Sequence, residues 1–363
     1  MASLGVMVAP PGVEAPAALS EAVRAGGLVG LWWPDHWMGW APESIWEELG
    51  PIAAAWPSPD LYADPFVEMV ELGGATGAPI LGTAVTDVVR RHPVGLMQSA
   101  ESVLRALPET ELVLGLGVGE RESLAPYGLA RTPVDKVAEA LEVLRAIRTA
   151  GRVTHEGRWW RLDRAPAPAP EARERLRVWL GAHGPRMRRL AAEGAEGWIP
   201  VGLSPGAIGG LAEEMRRAAE PGWEVAVCVP VALLDADLDE QEVTQSAALR
   251  WLSLFWDPAA FRKAGVEHPL GANFDPMRSF VPGHLERDEA LGLLEAVPPA
   301  VVREVVQCGG RKEIADLLGR YGAAGVDHVV LWEVGHLVAP ERRARSIELS
   351  CEAWTMTNGR SLG

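Results

Sequence analysis

Residues 111–149 read ELVLGLGVGERESLAPYGLARTPVDKVAEALEVLRAIRT and contain one complete strand–turn–helix unit. From Glu111 to Gly117 the run is apolar throughout rather than alternating, which suits a parallel strand buried on both faces. A turn rich in glycine and carboxylates follows, and Val134–Thr149 then sets Val137, Leu141, Val143, Leu144 and Ile147 at helical spacing. The alternation recurs outward in both directions. Toward the N-terminus, Leu4–Val8 reads as a strand with a helix near Ala17–Ala25, and Leu28–Trp33 as a strand followed by a long loop. Pro79–Thr86 reads as a strand followed by a helix from His92 to Ala106. Toward the C-terminus, Leu176–Leu180, Gly197–Val201, Val225–Leu233 and Val326–Leu331 read as strands, the last leading to a charged helix from Pro340.

Eight strands, most of them separated by helices, predict an α/β chain folded as a (β/α)8 TIM barrel, with residues 1–363 as one domain. An open doubly wound sheet is the alternative, because periodicity does not report closure. The short rhythm breaks at about 235–300, which reads as a helical insertion after strand seven carrying a lid. Val153–Leu162, centred on His155-Glu156-Gly157, reads as a surface hairpin. Ala165–Ala172 reads as a short, stiff Pro/Ala connector.

Composition removes several functions. The chain of 363 residues carries a formal net charge of −15 and has no run of basic residues, which argues against a nucleic-acid or anionic-membrane partner. Cys228, Cys308 and Cys351 lie far apart, form no disulfide framework or metal motif, and fit a reducing, cytoplasmic setting. The N-terminus lacks a basic leader, and no apolar run approaches the ~20 residues of a membrane span. Two Asn, with abundant Ala, Gly and Pro, suggest a GC-rich bacterial coding bias. Tryptophan is in excess: 15 Trp stand against 5 Phe and 3 Tyr, and six of them lie between Trp32 and Trp56.

In a barrel the chemistry belongs where strands end and the following loops begin. Those positions hold Asp35-His36 after strand two, Thr86-Asp87 after strand three, Gly117–Glu122 after strand four and Ala182–Arg186 after strand five. A histidine beside a carboxylate can move protons near neutral pH, although an Asp there also serves as a helix cap. Gly115-Leu116-Gly117-Val118-Gly119-Glu120 fails as a dinucleotide fingerprint, because Glu120 stands where the last glycine should be. Glycines at a strand end instead let backbone approach a flat ring closely. Arg90, Arg91 and Arg186 could form a cationic rim for a phosphate or carboxylate tail, or simply solvated helix faces. His268 and His284 show no metal-ligand spacing with His36 and Glu120, so no metal is expected. Gly202–Gly206 matches G-x-S-x-G, but Pro205 has no N–H for an oxyanion hole, so Ser204 reads as a helix cap.

Six segments carry a resemblance. PDHWMGW (Pro34–Trp40), LGTAVTDVVRRHP (Leu81–Pro93), LGLGVGERESLAPYG (Leu114–Gly128) and WLGAHGPRM (Trp179–Met187) occur in order, supported by THEGRWWRL and GVEHPLGANF (Gly265–Phe274). Together they resemble the luciferase-like oxidoreductase superfamily, in its deazaflavin (coenzyme F420) dependent branch. Within that branch they are similar to the mycobacterial phthiodiolone dimycocerosate ketoreductases.

The resemblance implies that Asp35 and His36 lie beside the deazaflavin C5, with His36 as proton donor or acceptor. It makes Glu120 and Trp40 further catalytic residues, and it sets a non-prolyl cis peptide at Ala84-Val85 behind the ring. Thr86, Asp87, Val118 and Gly119 would contact the cofactor, and Ala182, His183, Gly184 and Arg186 would receive its phosphate-bearing tail. Pro34 departs from the small residue usual before Asp-His.

The expected activity is F420-dependent hydride transfer to or from a carbonyl, imine or alkene. The alternative is an FMN monooxygenase that uses oxygen and a partner reductase, and a degenerate binding protein is a third reading. The family is often dimeric, so a homodimer is expected by analogy. Trp37, Trp40 and Trp46 would wall a pocket for a bulky, mostly apolar small molecule. Trp32 and Trp33 would pack in or around the barrel, and Trp179, Trp198, Trp251 and Trp332 would be core or pocket floor.

Overall fold

A computed structural model describes residues 2–10, 12–166, 174–357 and 359. Residues 167–172 of the Pro/Ala connector lie outside them. Twelve strands are present among the described residues: β1 (Ser3–Met7), β2 (Gly30–Trp33), β3 (Ile80–Thr83), β4 (Thr86–Asp87), β5 (Glu111–Gly117), β6 (Arg152–Glu156), β7 (Arg161–Pro166), β8 (Leu176–Leu180), β9 (Gly197–Trp198), β10 (Glu224–Leu233), β11 (Gln307–Gly309) and β12 (His328–Glu333). Eight of them form a closed parallel barrel in the order β1, β2, β3, β5, β8, β9, β10, β12. Closure runs through Val225 beside Trp198 and Ala226 beside His328, and Leu4 beside Val329 completes the ring. The expected α/β barrel is therefore the fold, and the open sheet is not. Among the described residues no helix is long and apolar enough to cross a membrane.

The barrel interior explains two of the tryptophans. Trp32 and Trp179 stack with ring centroids 5.5 Å apart, enclosed by Met7, Val113, Ile199, Cys228 and Val330. Glycines on neighbouring strands make the room. A Cβ on Gly5 would lie 2.6 Å from the Trp32 indole nitrogen, and one on Gly197 would lie 2.6 Å from Trp179. Large and small residues thus interlock across the interior, as close packing requires. Trp33, one residue on, points to the opposite face and is buried in the outer layer under the helices.

The structure corrects several boundaries. The expected strand Pro79–Thr86 is two pieces, β3 and β4, separated by a cis peptide between Ala84 and Val85. Gly197–Val201 shortens to β9 and one isolated bridge, Val201 to Cys228. The last barrel strand begins at His328 rather than Val326. The hairpin is present, but its turn covers Gly157–Trp160, and His155 pairs with Leu162 inside the ladder. The long loop after β2 contains a helix, Pro65–Thr76, with Asp64 accepting the Phe66 N–H and Gly77 in the left-handed region at its end. That helix leaves Val67 and Val70 exposed, which obscures its periodicity.

Between β10 and β11 the chain is helical, at Glu240–Gln245, Ala247–Ser253, Pro258–Lys263, Pro276–Ser279, Arg287–Glu295 and Pro299–Val305. These helices build a second apolar cluster with the tryptophan-rich loop after β2, including Ile45, Trp46, Trp56, Trp251 and Phe280. Trp251 donates its indole N–H to the Trp40 carbonyl at 2.9 Å, and Trp46 donates to the Trp56 carbonyl at 2.8 Å. Trp46 is therefore buried inside this lobe and does not wall a pocket.

Candidate active site

The C-terminal ends of β2, β3, β5 and β8 meet at one mouth, and its floor is made of small residues. Val85, just after the cis bond, is enclosed by glycines from neighbouring strands. A Cβ on Gly117 would lie 2.7 Å from Val85 Cγ2, and one on Gly181 would lie 3.0 Å from Val85 Cγ1. Only side-chain-free backbone fits there, and Ala84 and Val85 stay half-buried on the open side.

Beside the floor, Asp35 is locked into a buried ionic network. Its Oδ2 accepts the Thr86 hydroxyl at 2.5 Å and Arg91 Nε at 3.2 Å, and its Oδ1 accepts Arg90 Nη1 at 3.0 Å. Arg90 also donates to the Asp35 carbonyl at 2.6 Å and to Asp87 Oδ2 at 2.6 Å. Asp87 Oδ1 in turn accepts the backbone N–H groups of Val89 and Arg90. Burial alone would raise the Asp35 carboxyl, but the two guanidinium groups and the Thr86 hydroxyl outweigh it and hold Asp35 below its ordinary value.

Two expectations are thereby corrected. Arg90 and Arg91 are committed to Asp35, Asp87 and Asp64 and form no free cationic rim. Asp35 and Asp87 turn their carboxylates into the protein and anchor the strand ends rather than offering them to a ring.

His36, next to Asp35, faces a different set. Its Nδ1 lies 2.9 Å from Ser123 Oγ, and its ring packs 5.4 Å from Tyr62. His36, Glu120 and Glu122 present nitrogen and oxygen atoms all within 4.8 Å of one another. At that spacing the charges of the three groups act strongly on one another. Glu122 is 5% exposed, and its carboxyl lies within 4.8 Å of the Glu120 carboxyl. Burial, together with the neighbouring Glu120, pushes Glu122 well above the usual carboxylate range. Burial also raises the Tyr62 phenol, and the charges of Glu122, Glu120 and Asp60 raise it further, so it remains an O–H donor.

The remaining expected residues divide by role. Gly119 has φ +75°, leaves no room for a Cβ beside Leu124, and accepts Arg131 Nε through its carbonyl at 2.9 Å. Val118 accepts the Thr132 N–H. Ala182 is buried and accepts the Trp198 indole N–H at 2.7 Å. His183, Gly184 and Arg186 are exposed around the N-terminus of the helix Pro185–Gly194. Trp40 is half-buried, edge-on to Trp46 at 6.0 Å. Trp37 is 41% exposed, edge-on to Tyr127 at 5.0 Å, with the Arg90 guanidinium 5.5 Å from its ring. Trp332 belongs to both the barrel interior and the lobe, and stacks on half-buried Trp256 at 6.1 Å.

His268 is buried in the lobe between Phe261 and Phe274, with Nε2 3.2 Å from the Leu254 carbonyl, and stands apart from His36. Sequence reasoning placed Glu122 in the candidate stretch after strand four without giving it a role, and it missed Ser123 and Tyr62. Glu122 and Ser123 lie in the GERES stretch beside Glu120. Tyr62 carried no local signal.

Comparison with known proteins gives this geometry a context. Residues 5–328 match the luciferase-like monooxygenase family. The chain is 33% identical over 334 residues to a phthiodiolone/phenolphthiodiolone dimycocerosates ketoreductase of Mycobacterium kansasii, covering 87% of this chain and 90% of that protein. It is 30% identical over 214 residues to an F420-dependent glucose-6-phosphate dehydrogenase of Nakamurella multipartita, covering 55% and 60%. Among solved structures it is similar to an F420-dependent secondary alcohol dehydrogenase in complex with an F420-acetone adduct. The TM-score there is 0.68 at 19% identity, covering 94% of this chain and 97% of that one.

Proposed function

This chain belongs to the luciferase-like monooxygenase family, and from that premise we propose that it is a coenzyme F420-dependent oxidoreductase acting on a carbonyl, imine or alkene of a bulky, mostly apolar substrate. The observation that carries the reading is the placement of His36, with Glu120 and Glu122, beside a floor of glycine backbone and Val85. That floor fits a flat ring, and two relatives whose names carry ketoreductase or F420 share much of the chain.

Ala84, Val85, Gly117 and Gly181 would hold the ring from behind. His183, Gly184 and Arg186 would hold its anionic tail, where the N-terminus of the helix Pro185–Gly194 favours negative charge. The reduced deazaflavin, when bound, supplies a hydride. His36 delivers the proton to the oxygen of a reduced carbonyl. Ser123 occupies its Nδ1, which leaves Nε2 for the substrate. Asp35, pinned by Arg90, Arg91 and Thr86, fixes the backbone from which His36 projects. Trp40, Trp256 and Trp332 supply the apolar side of the mouth, and the helices at 240–305 close over it as a lid.

The test is the identity of the cofactor. Protein purified from a deazaflavin-producing host is expected to carry F420, identified by fluorescence and mass. Supplied with reduced F420, it should reduce long-chain or aromatic ketones without oxygen. Tight binding of FMN with oxygen-dependent turnover, and no affinity for F420, would replace this reading with a monooxygenase.

A further inference from the structure

The mouth contains one carboxyl more than proton delivery by His36 requires. Glu120 ends the loop after β5, and Glu122 follows on the short helix Arg121–Leu124. Glu122 is 5% exposed and belongs, with Glu120 and His36, to the cluster whose polar atoms lie within 4.8 Å of one another. We propose that Glu122 is a positioning residue whose carboxyl shares one proton with Glu120. The two carboxyls beside His36 then carry a single negative charge between them at neutral pH.

The surroundings favour that state. Glu122 feels Glu120 on its own segment, and the Tyr62 phenol feels both carboxyls together with Asp60. His36 closes one side. Arg131 lies near Glu120 on the other, and the helix Pro276–Ser279, which packs on Arg121–Leu124, brings Arg278 with Asp275. His183 also lies within reach of the Glu120 charge.

Arg278 is exposed and paired with Asp275, and Arg131 gives its Nε to the Gly119 carbonyl. No guanidinium therefore ion-pairs Glu122 among the described residues. Two ionised carboxylates side by side in a buried place repel, and one shared proton relieves this. The shared hydrogen bond also fixes Glu120 beside His36. A second negative charge there would oppose charge building on the substrate oxygen, so the site should fail when the pair loses its last proton.

The catalytic consequence rests on the oxidoreductase reading, whereas the shared proton does not, and the two are tested separately. Infrared spectra of cofactor-free protein should show the C=O stretch of a neutral carboxyl at neutral pH, lost in Glu122→Gln. In turnover with reduced F420, the wild-type rate should fall on the alkaline side. Glu122→Gln keeps a donor toward Glu120 and cannot ionise, so it should lose the part of that fall that comes from Glu122 and keep the part that comes from the proton donor His36. Glu122→Ala should lower kcat roughly tenfold with little change in KM, and Glu122→Gln should recover part of that loss. No neutral-carboxyl band in the wild type, or an unchanged band and alkaline fall in Glu122→Gln, overturns the proposal. The expected band without F420-dependent turnover in any variant leaves the shared proton standing and overturns the oxidoreductase reading.

Discussion

Arg90 grips Asp35 twice, with Nη1 3.0 Å from the carboxylate and Nη2 2.6 Å from the main-chain carbonyl. One guanidinium therefore ties both the side chain and the backbone of the residue before His36 to the loop after β4. Neither side chain is exposed by more than 3%. An aspartate preceding a histidine suggests a catalytic dyad, but here its oxygens are filled by Thr86, Arg90 and Arg91.

Asp35→Ala should consequently act on folding as well as on rate. It leaves the Arg90 guanidinium buried with one of its two carboxylates gone, a class of change that costs about 3–5 kcal/mol. Asp35→Asn should cost less, because it still accepts hydrogen bonds. The pH sign follows from a folded carboxyl held below its unfolded value. The stabilisation is complete above the unfolded value of about 4 and is lost as pH falls through the folded one. Urea denaturation of the wild type and both variants, at neutral pH and again in acid, checks this. The gap between wild type and Asp35→Ala should shrink in acid.

His36→Ala should lose about 10²- to 10⁴-fold in turnover, the usual scale for removing a positioned proton donor. F420 affinity should stay near that of the wild type, because the ring rests on Val85 and the glycine backbone. Ser123→Ala should give a smaller loss, since it removes only the partner of Nδ1. Single-turnover kinetics beside a fluorescence binding titration separates the two effects. Unimpaired hydride transfer in His36→Ala would remove His36 from the mechanism.

How much of this was readable in the chain depends on range. Runs such as LVLGLG and VAVCVPVAL announce strands buried on both faces, because that burial makes them apolar without alternation. The helix Pro65–Thr76 escaped because exposed Val67 and Val70 blur its pattern. Arg90 and Arg91 read as free cations because a sequence displays charge but not the partner, and Asp35 lies 55 and 56 residues earlier. Tyr62 joins the site only because the loop after β2 folds over the loop after β5. Trp46 looked like a pocket wall by its proximity to His36, yet the lobe takes it up as core.

The glycine floor makes a prediction about binding. Gly117→Ala would set a Cβ 2.7 Å from Val85 Cγ2, and a β-branched valine has little rotamer freedom to retreat. Overpacking of this kind costs about 1–3 kcal/mol, so F420 affinity should fall roughly tenfold or more as Val85 is pushed toward the ring. Gly95→Ala is the control. It lies in the helix Pro93–Ala106 with nothing near its would-be Cβ, and it should stabilise by about 0.5–1 kcal/mol without altering binding. Equal F420 affinities in the two variants would remove the floor from the cofactor site.

On the far side of the same mouth, Arg343 clamps the last helix to the barrel. It is 1% exposed, donates Nε to Glu14 Oε1 at 3.0 Å, and donates Nη2 to Glu14 Oε2 at 2.9 Å and to the Met7 carbonyl at 2.8 Å. Its Nη1 lies 3.8 Å from Glu333 Oε2. The end of β1, the loop after it and the end of β12 are thus joined through one side chain on Arg343–Thr357. Burial would raise both Glu14 and Glu333. At Glu14 the Arg343 charge and hydrogen bonds outweigh that effect, and at Glu333 it is outweighed by His336 and Arg343, so both carboxyls sit below their ordinary values. Arg343→Ala strands two buried carboxylates and should cost about 3–5 kcal/mol. Arg343→Lys should cost less but still register, because an ammonium cannot make the forked contact to Glu14. As pH falls and the carboxylates protonate, the penalty of either variant should diminish. Urea unfolding across neutral and acidic pH measures it, and a pH-independent difference between wild type and Arg343→Ala would show that packing, rather than the ionic clamp, holds the helix.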